Sequence, residues 1–282
     1  MLDAVSCVIS SSLEVSLRRS ATIEPVYSSQ WLMSIFKQMD PKQNALLAAL
    51  PPEILERWLP FLEPVDLPLG TILSASGATT DHVYFPVSGI VSLVYVMESG
   101  QEAEVAVVGL DGFLGISTFM GGESTSSLTF VKCTGQAFRF SSQRFKKEFA
   151  YTSVMHLFLR FTQALLTQIT QTAACNRHHT LPQQFCRSLL LCLDRIPGNE
   201  LVMTHELIAN MLGVRREGVS EAASALQGAR IIVYARGRIL VLDRPALEDR
   251  SCECYAVVKK EYDRLLPCTL DPLAIDPVLV AF

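Results

Sequence analysis

The stretch that most constrains this chain is His205 to Ser224, HELIANMLGVRREGVSEAAS. Two short helices that cross steeply need a small residue at their contact, a φ > 0 residue between them and a few apolar positions facing a shared core. Ala209 supplies the small residue and Gly213 the turn, while Ile208, Leu212, Val214, Val219 and Ala222 supply the apolar positions. Arg215, Arg216, Glu217 and Glu221 fall where the second helix faces outward, leaving a polar face for a DNA groove. Ser220 is counted with them as a candidate contact. An ordinary pair of amphipathic helices explains the apolar spacing but not the Ala/Gly pair at its four-residue offset.

The neighbouring residues extend this helix-turn-helix reading. Thr204 is placed to cap the first helix. Beyond the second, IIVYARGRILVLD reads as two strands around Ala235-Arg236-Gly237-Arg238, a hairpin where a wing would stand. Arg236 and Arg238 could reach phosphates, contacts that set register but not sequence preference. With a formal net charge of −4, any nucleic-acid surface must be local. Between Arg215 and Arg244 six arginines stand against three acidic residues, so the positive excess lies at the motif.

Upstream the character changes twice. Residues 65 to 140 hold short β-rich runs divided by glycines, such as HVYFPVSGIVSLVYVMESG and EAEVAVVGLDGFLG, which predict an antiparallel sandwich or jelly roll. Ser142 to about Asn176 is almost without Gly or Pro and predicts a short helix through Phe145 and Phe149, then a long one. On the long helix Val154, Phe158, Phe161, Leu165, Gln168 and Thr172 follow the 4-3-4 spacing of a coiled-coil seam. Leu157, Leu159, Leu166 and Ile169 widen the apolar surface, so one face could cover the β domain while the other meets a partner helix. Another helix follows over residues 181 to 195, opened by Pro182.

The expected fold is therefore α+β: an N-terminal antiparallel β-roll, a long dimerisation helix and a C-terminal winged helix-turn-helix. The predicted division is a poorly ordered, Ser-rich extension over 1–40, a β-roll over 41–150, the dimerisation helix over 151–177, the winged domain over 178–250, and a C-terminal helix and tail over 251–282. Met33 and Met39 would each serve as an alternative start. The first ten residues lack a basic region before their apolar run, so a signal peptide is not expected. No uninterrupted apolar stretch of membrane-spanning length is present, and the eight scattered cysteines read as reduced cytoplasmic thiols.

This order of parts resembles the Crp/Fnr family of bacterial transcription regulators over about residues 44 to 266. The blocks DHVYFPVSGIVSLV, TQTAACNRHHT, MLGVRREGVSEAASALQ, RGRILVLDRPALE and CECYAVVKKEYDRLL carry the likeness, in that order. The resemblance implies a cyclic-nucleotide-binding-like sensor domain and a homodimer on a pseudo-palindromic double-stranded DNA operator. RNA polymerase and an unidentified small-molecule effector are further implied partners, with no membrane and no cofactor. It also implies that Arg216 and Glu217 occupy the positions of the family's base-reading Arg-Glu pair. Arginine bonds guanine O6 and N7, and glutamate accepts from cytosine N4. Glu221 stands where cyclic-AMP receptors carry a second Arg, and Arg215 replaces the usual Ser cap, so a different half-site is expected.

Most of the family's effector chemistry does not carry over. Gly112-Phe113-Leu114-Gly115 keeps the glycines of the cyclic-nucleotide turn, yet Ile116 stands where the ribose-binding Glu should be. No Arg or Lys occurs between Gly112 and Val131 to neutralise a phosphate. Cyclic AMP is therefore not the expected effector, and Gly112 and Gly115 form a degenerate turn. Cys7 alone cannot hold an iron-sulfur cluster. Cys175, His178 and His179 form one compact ligand-like group and Cys252-x-Cys254 the one close thiol pair. Each reads as packed or exposed residues at helix ends, and no metal is expected.

An enzyme has little support. The chain shows no nucleophile elbow, phosphate loop or HExxH helix, and Asp81 and His82, adjacent before a strand, point oppositely. The alternative from another class is a ligand-binding or protein-interaction module whose winged helix contacts protein.

Overall fold

The computed structural model of the chain describes residues 39–149 and 151–266. The extension read over residues 1–40 falls almost wholly outside the described residues, as do Met33, Cys7, Cys268 and the tail beyond residue 266.

Asn44 fixes the first α-helix of the described residues. Its side-chain oxygen accepts from the backbone N–H groups of Leu46 and Leu47, capping α1 (Ala45–Ala48), and its amide donates to Pro86 O and Gly112 O at 2.9 and 2.7 Å. One buried amide thus caps a helix and ties it to two turns of the β domain. Pro51 and Pro52 break α1 from α2 (Pro52–Trp58), since Pro52 is accepted in a first turn but not inside a helix.

Seven strands then form two antiparallel sheets: β1 (Glu63–Leu67), β2 (Ile72–Ser74), β3 (His82–Pro86), β4 (Ile90–Val96), β5 (Glu102–Val108), β6 (Leu128–Cys133) and β7 (Gly135–Ser141). Their orders are β1-β7-β3 and β2-β6-β4-β5. A short helix, α3 (Ser117–Met120), interrupts the run between β5 and β6. Trp58 of α2 stacks on Phe140 at 4.8 Å between centroids, and Phe85, Phe113, Phe145, Phe158 and Phe161 complete an aromatic core. Phe145 comes from α4 (Ser142–Glu148), and Phe158 and Phe161 from α5 (Thr152–His178), so the β-roll is closed by the long helix itself.

This corrects the reading of the coiled-coil seam. Val154, Phe158, Phe161, Leu165, Gln168 and Thr172 are all buried inside the chain. Gln168 shows why a polar residue sits there: its Oε1 accepts from Val107 N, and its Nε2 donates to Val107 O and to the Tyr262 hydroxyl. Heptad spacing marks a stripe that needs covering without saying what covers it. On another face, Leu159 and Leu166 stand 45% and 55% exposed at seven-residue spacing, with Ala173 continuing the row.

The C-terminal half follows with α6 (Leu181–Leu193), opened by a Thr180/Gln183 capping box, then β8 (Glu200–Val202), α7 (His205–Leu212) and α8 (Arg216–Gly228). The strands β9 (Ile232–Ala235) and β10 (Arg238–Val241) precede α9 (Arg244–Asp249) and α10 (Glu253–Leu265). β8, which shows no strand signal in the sequence, joins the hairpin in a third sheet of order β8-β10-β9. Three residues are too few to display a period of two. Arg195, after α6, is 2% exposed and pairs with Asp111 of the β-roll at 2.9 Å, tying the two halves together. Among the described residues no helix is long and apolar enough to cross a membrane.

Candidate nucleic-acid interface

The helix-turn-helix forms as its spacing requires. Thr204 Oγ1 accepts from Leu207 N and caps α7. Gly213 ends that helix at φ +65°, a conformation that costs a residue with a Cβ about 1 kcal/mol or more. The chain then folds back so that Val214 N donates to Ala209 O at 3.0 Å. Ile208, Ala209, Val219 and Ala222 are buried between the two helices, and Leu212 and Val214 are half-buried at their edge. Gly218 is needed for a separate reason: a Cβ there would lie 2.7 Å from Leu181 Cδ2, so the glycine lets α8 settle on α6.

Arg215, Arg216, Glu217 and Glu221 are exposed, and among the described residues none takes part in an ion pair or a side-chain hydrogen bond. Ser220 behaves differently. Its hydroxyl is 2.9 Å from His205 Nδ1, and the His205 ring stacks on Tyr234 of β9 at 3.9 Å between centroids. Ser220 therefore joins α7, α8 and the hairpin from inside the motif rather than standing on its outer face. Burial, then the positive charge of Arg216, hold the His205 imidazole below its ordinary value, which favours the neutral ring at this junction.

The hairpin turns through Arg236 at φ +51° and Gly237 at φ +77°, with Ala235 paired to Arg238, the two-residue geometry suited to twisted strands. Arg236 is exposed at the tip. Arg238 is exposed too, but its guanidinium is held by both carboxylate oxygens of Glu200 at 2.5 and 3.0 Å. Glu200 lies on β8, so spacing around the hairpin could not reveal that pairing. Arg244 likewise turns inward, to Asp194, Glu248 and Tyr255.

In the β-roll a cavity of about 330 Å³ opens beside the degenerate turn. Tyr84, Leu93, Phe113, Gly115, Met120 and Leu165 are among the residues around it, and the remainder are Ser, Thr, Gly and aliphatic side chains with no charged group. The retained glycines have steric roles of their own. A Cβ on Gly112 would sit 2.3 Å from the Phe161 ring of α5, and one on Gly115, at φ +107°, would sit 2.8 Å from Val83 Cγ1. Close packing of Gly112 against the long helix and of Gly115 against β3 accounts for them without a phosphate.

The two ligand-like groups read separately in the sequence come together. Cys175 and His179 at the end of α5 meet Cys252 and Cys254 at the start of α10, with their ligand atoms all within 4.8 Å of one another, while His178 is exposed and apart. They are residues at helix ends, with the three cysteines packed, and the two ends meet. Residues 175 and 252 are neighbours only because α10 packs along α5.

The fold and its exposed helix define a two-module protein, a β-roll with an open cavity joined by a long helix to a winged helix-turn-helix. Two family models match, the cyclic nucleotide-binding domain over residues 64–151 and the Crp-like helix-turn-helix domain over residues 183–250, together more than half of the chain. The chain belongs to the Crp/Fnr family of transcription regulators.

Solved structures show the same fold at low identity. A Crp/Fnr-family transcriptional regulator from Eubacterium rectale is 18% identical with a TM-score of 0.57, covering 74% of this chain and 98% of its own. FixK2 from Bradyrhizobium japonicum is 17% identical with a TM-score of 0.56, covering 68% and 98%. The c-di-GMP-responsive global regulator CLP of Xanthomonas campestris is 16% identical with a TM-score of 0.55, covering 68% and 99%. A comparison with curated proteins finds no match.

Proposed function

We propose that the protein is a homodimeric, sequence-specific transcription regulator of the cytoplasm that reads a pseudo-palindromic operator. The observation that carries this reading is the unpartnered charged face of α8, directly beyond the Gly213 turn and beside a hairpin with Arg236 at its tip. Arg216 and Glu217 are the base-reading pair, Glu221 lies on the same face, and Arg215 and Arg236 serve phosphates. Arg238, held by Glu200, supports the hairpin and reaches phosphate only by leaving its partner, and Ser220 positions α8 through His205. Use of this face for protein contacts is not favoured, because it is charged rather than apolar.

Arg216→Ala is expected to cost about 1–3 kcal/mol on the cognate site and to flatten preference at the base it reads. Competition binding in fluorescence anisotropy, with single-base operator variants at fixed salt, measures both effects. Undiminished operator preference in that variant would contradict the assignment.

The cavity supports an uncharged, largely apolar effector, contacted by hydroxyl and backbone groups. Leu165 of α5 lines it, so an occupant would touch the long helix directly. Burying a cyclic phosphate beside no cation costs several kcal/mol. Calorimetric titration with cyclic AMP and cyclic GMP is therefore expected to show no micromolar binding, and micromolar affinity for either would overturn this reading of the cavity.

A further inference from the structure

Among the described residues, one group of metal-ligating side chains has no part in reading DNA. It lies where the long helix hands over to the winged domain. Cys175 occupies the last turn of α5, His179 caps that helix, Cys252 caps α10 and Cys254 stands in its first turn. Cys175 Sγ and Cys252 Sγ are 3.4 Å apart, and Cys254 Sγ is 3.6 Å from His179 Nδ1.

We propose that Cys175, His179, Cys252 and Cys254 form a closed, tetrahedral site for one zinc ion. Bonds of about 2.3 Å to sulfur and about 2.0–2.1 Å to nitrogen place tetrahedral ligand atoms about 3.5–3.8 Å apart, against 3.4 and 3.6 Å for two of the pairs and at most 4.8 Å for any. A four-iron cluster spreads its thiolates over four metal atoms and needs more room than a 4.8 Å envelope. Three soft thiolates and an imidazole in tetrahedral array favour Zn²⁺ over the harder divalent ions.

The surroundings are those of a ligand shell. His179 Nε2 lies 3.1 Å from Glu253 Oε2, so the carboxylate fixes the ring from behind and leaves Nδ1 to the thiols. Gln184 of α6 donates to His179 O and Cys175 O at 2.8 and 3.4 Å, holding the backbone that presents both ligands. Three thiolates around a divalent ion leave a net charge of −1. Arg187, 3% exposed and bonded to Thr172 one turn before Cys175, supplies a buried positive charge nearby. Each of the three cysteines is buried, so the ion would be shielded from solvent. The ion would clip the end of α5 to the start of α10, fixing the junction that sets the direction of the winged domain. Its consequence for DNA binding rests on the proposed function, but the site itself does not.

Full-length protein purified under reduction without chelator is expected to carry one zinc per chain by elemental mass spectrometry. Its cobalt-exchanged form is expected to show thiolate-to-cobalt charge transfer and tetrahedral d–d bands. Cys252→Ser with Cys254→Ser should lose stoichiometric metal. Because that pair also alters buried side chains, Glu253→Gln, which changes an exposed carboxylate, serves beside it. It should weaken zinc about 10–100-fold against a chromophoric chelator. No uptake of zinc or cobalt by reduced wild-type protein, or full occupancy in the double serine variant, would overturn the site. Unchanged affinity in Glu253→Gln would overturn His179 as a ligand held from behind. All these readouts are independent of DNA, so failure of the metal site and failure of the regulatory reading are separable.

Discussion

Replacing Leu159 and Leu166 together by glutamate is expected to convert the protein to a monomer and to lower operator affinity by at least 100-fold. The two leucines are the large apolar side chains left exposed on α5, seven residues apart, and Ala173 continues their row with a side chain small enough for close helix approach. Pairing two such helices buries the row and directs two recognition helices to one face of the duplex. Linking two half-site contacts multiplies affinity by about 10²–10⁴ without any new contact, and that gain is lost when the subunits separate. Facing glutamates would repel across the pair. Sedimentation velocity reads the mass and anisotropy reads the affinity. Because both positions are solvent-facing within the subunit, the monomer should keep its helical circular dichroism. A double variant that remains a dimer with full affinity would move the interface elsewhere.

The second large effect concerns the joint between sensor and winged domain. Asp111→Ala is expected to destabilise the protein by about 3–5 kcal/mol, because it strands the buried guanidinium of Arg195. Arg195 would keep its bond to Leu191 O and its position 5.0 Å from the centre of the Tyr262 ring, neither of which replaces a carboxylate. Replacing Asp111 and Arg195 together by methionine should cost much less than Asp111→Ala, since no charge is then left unpaired. Urea unfolding of the three proteins gives the comparison. A loss below about 1 kcal/mol for Asp111→Ala would show that water reaches Arg195 and that the pair does not hold the joint.

What was legible in the sequence is what depends on near neighbours. Ala209, Gly213 and the apolar positions around them lie within fifteen residues, and each has a steric reason that survives without knowledge of the rest of the chain. Glycine-divided β runs likewise announced an antiparallel roll, although not which strands share a sheet. The misplaced coiled-coil seam had a real pattern and a wrong partner. Phe158 and Phe161 recur at the spacing of a dimer interface because they cover a β-roll, and periodicity is blind to that difference. Cys175 and Cys252, seventy-seven positions apart, meet only through the packing of α10 on α5. Arg238 looked free because Glu200 lies on a strand of three residues. In each of these cases the missing information was a contact between distant segments, which local spacing does not encode.

The most direct test of the central claim is selection of bound sequences from a random double-stranded DNA pool by the full-length, reduced protein at moderate salt. The expected product is a two-fold symmetric site whose half-site centres lie about one helical turn, 10–10.5 base pairs, apart, with Arg216→Ala losing preference at one symmetric pair of positions. Recovery of no enriched sequence, or of an isolated half-site bound as tightly as any paired one, would contradict a dimer that reads DNA through α8.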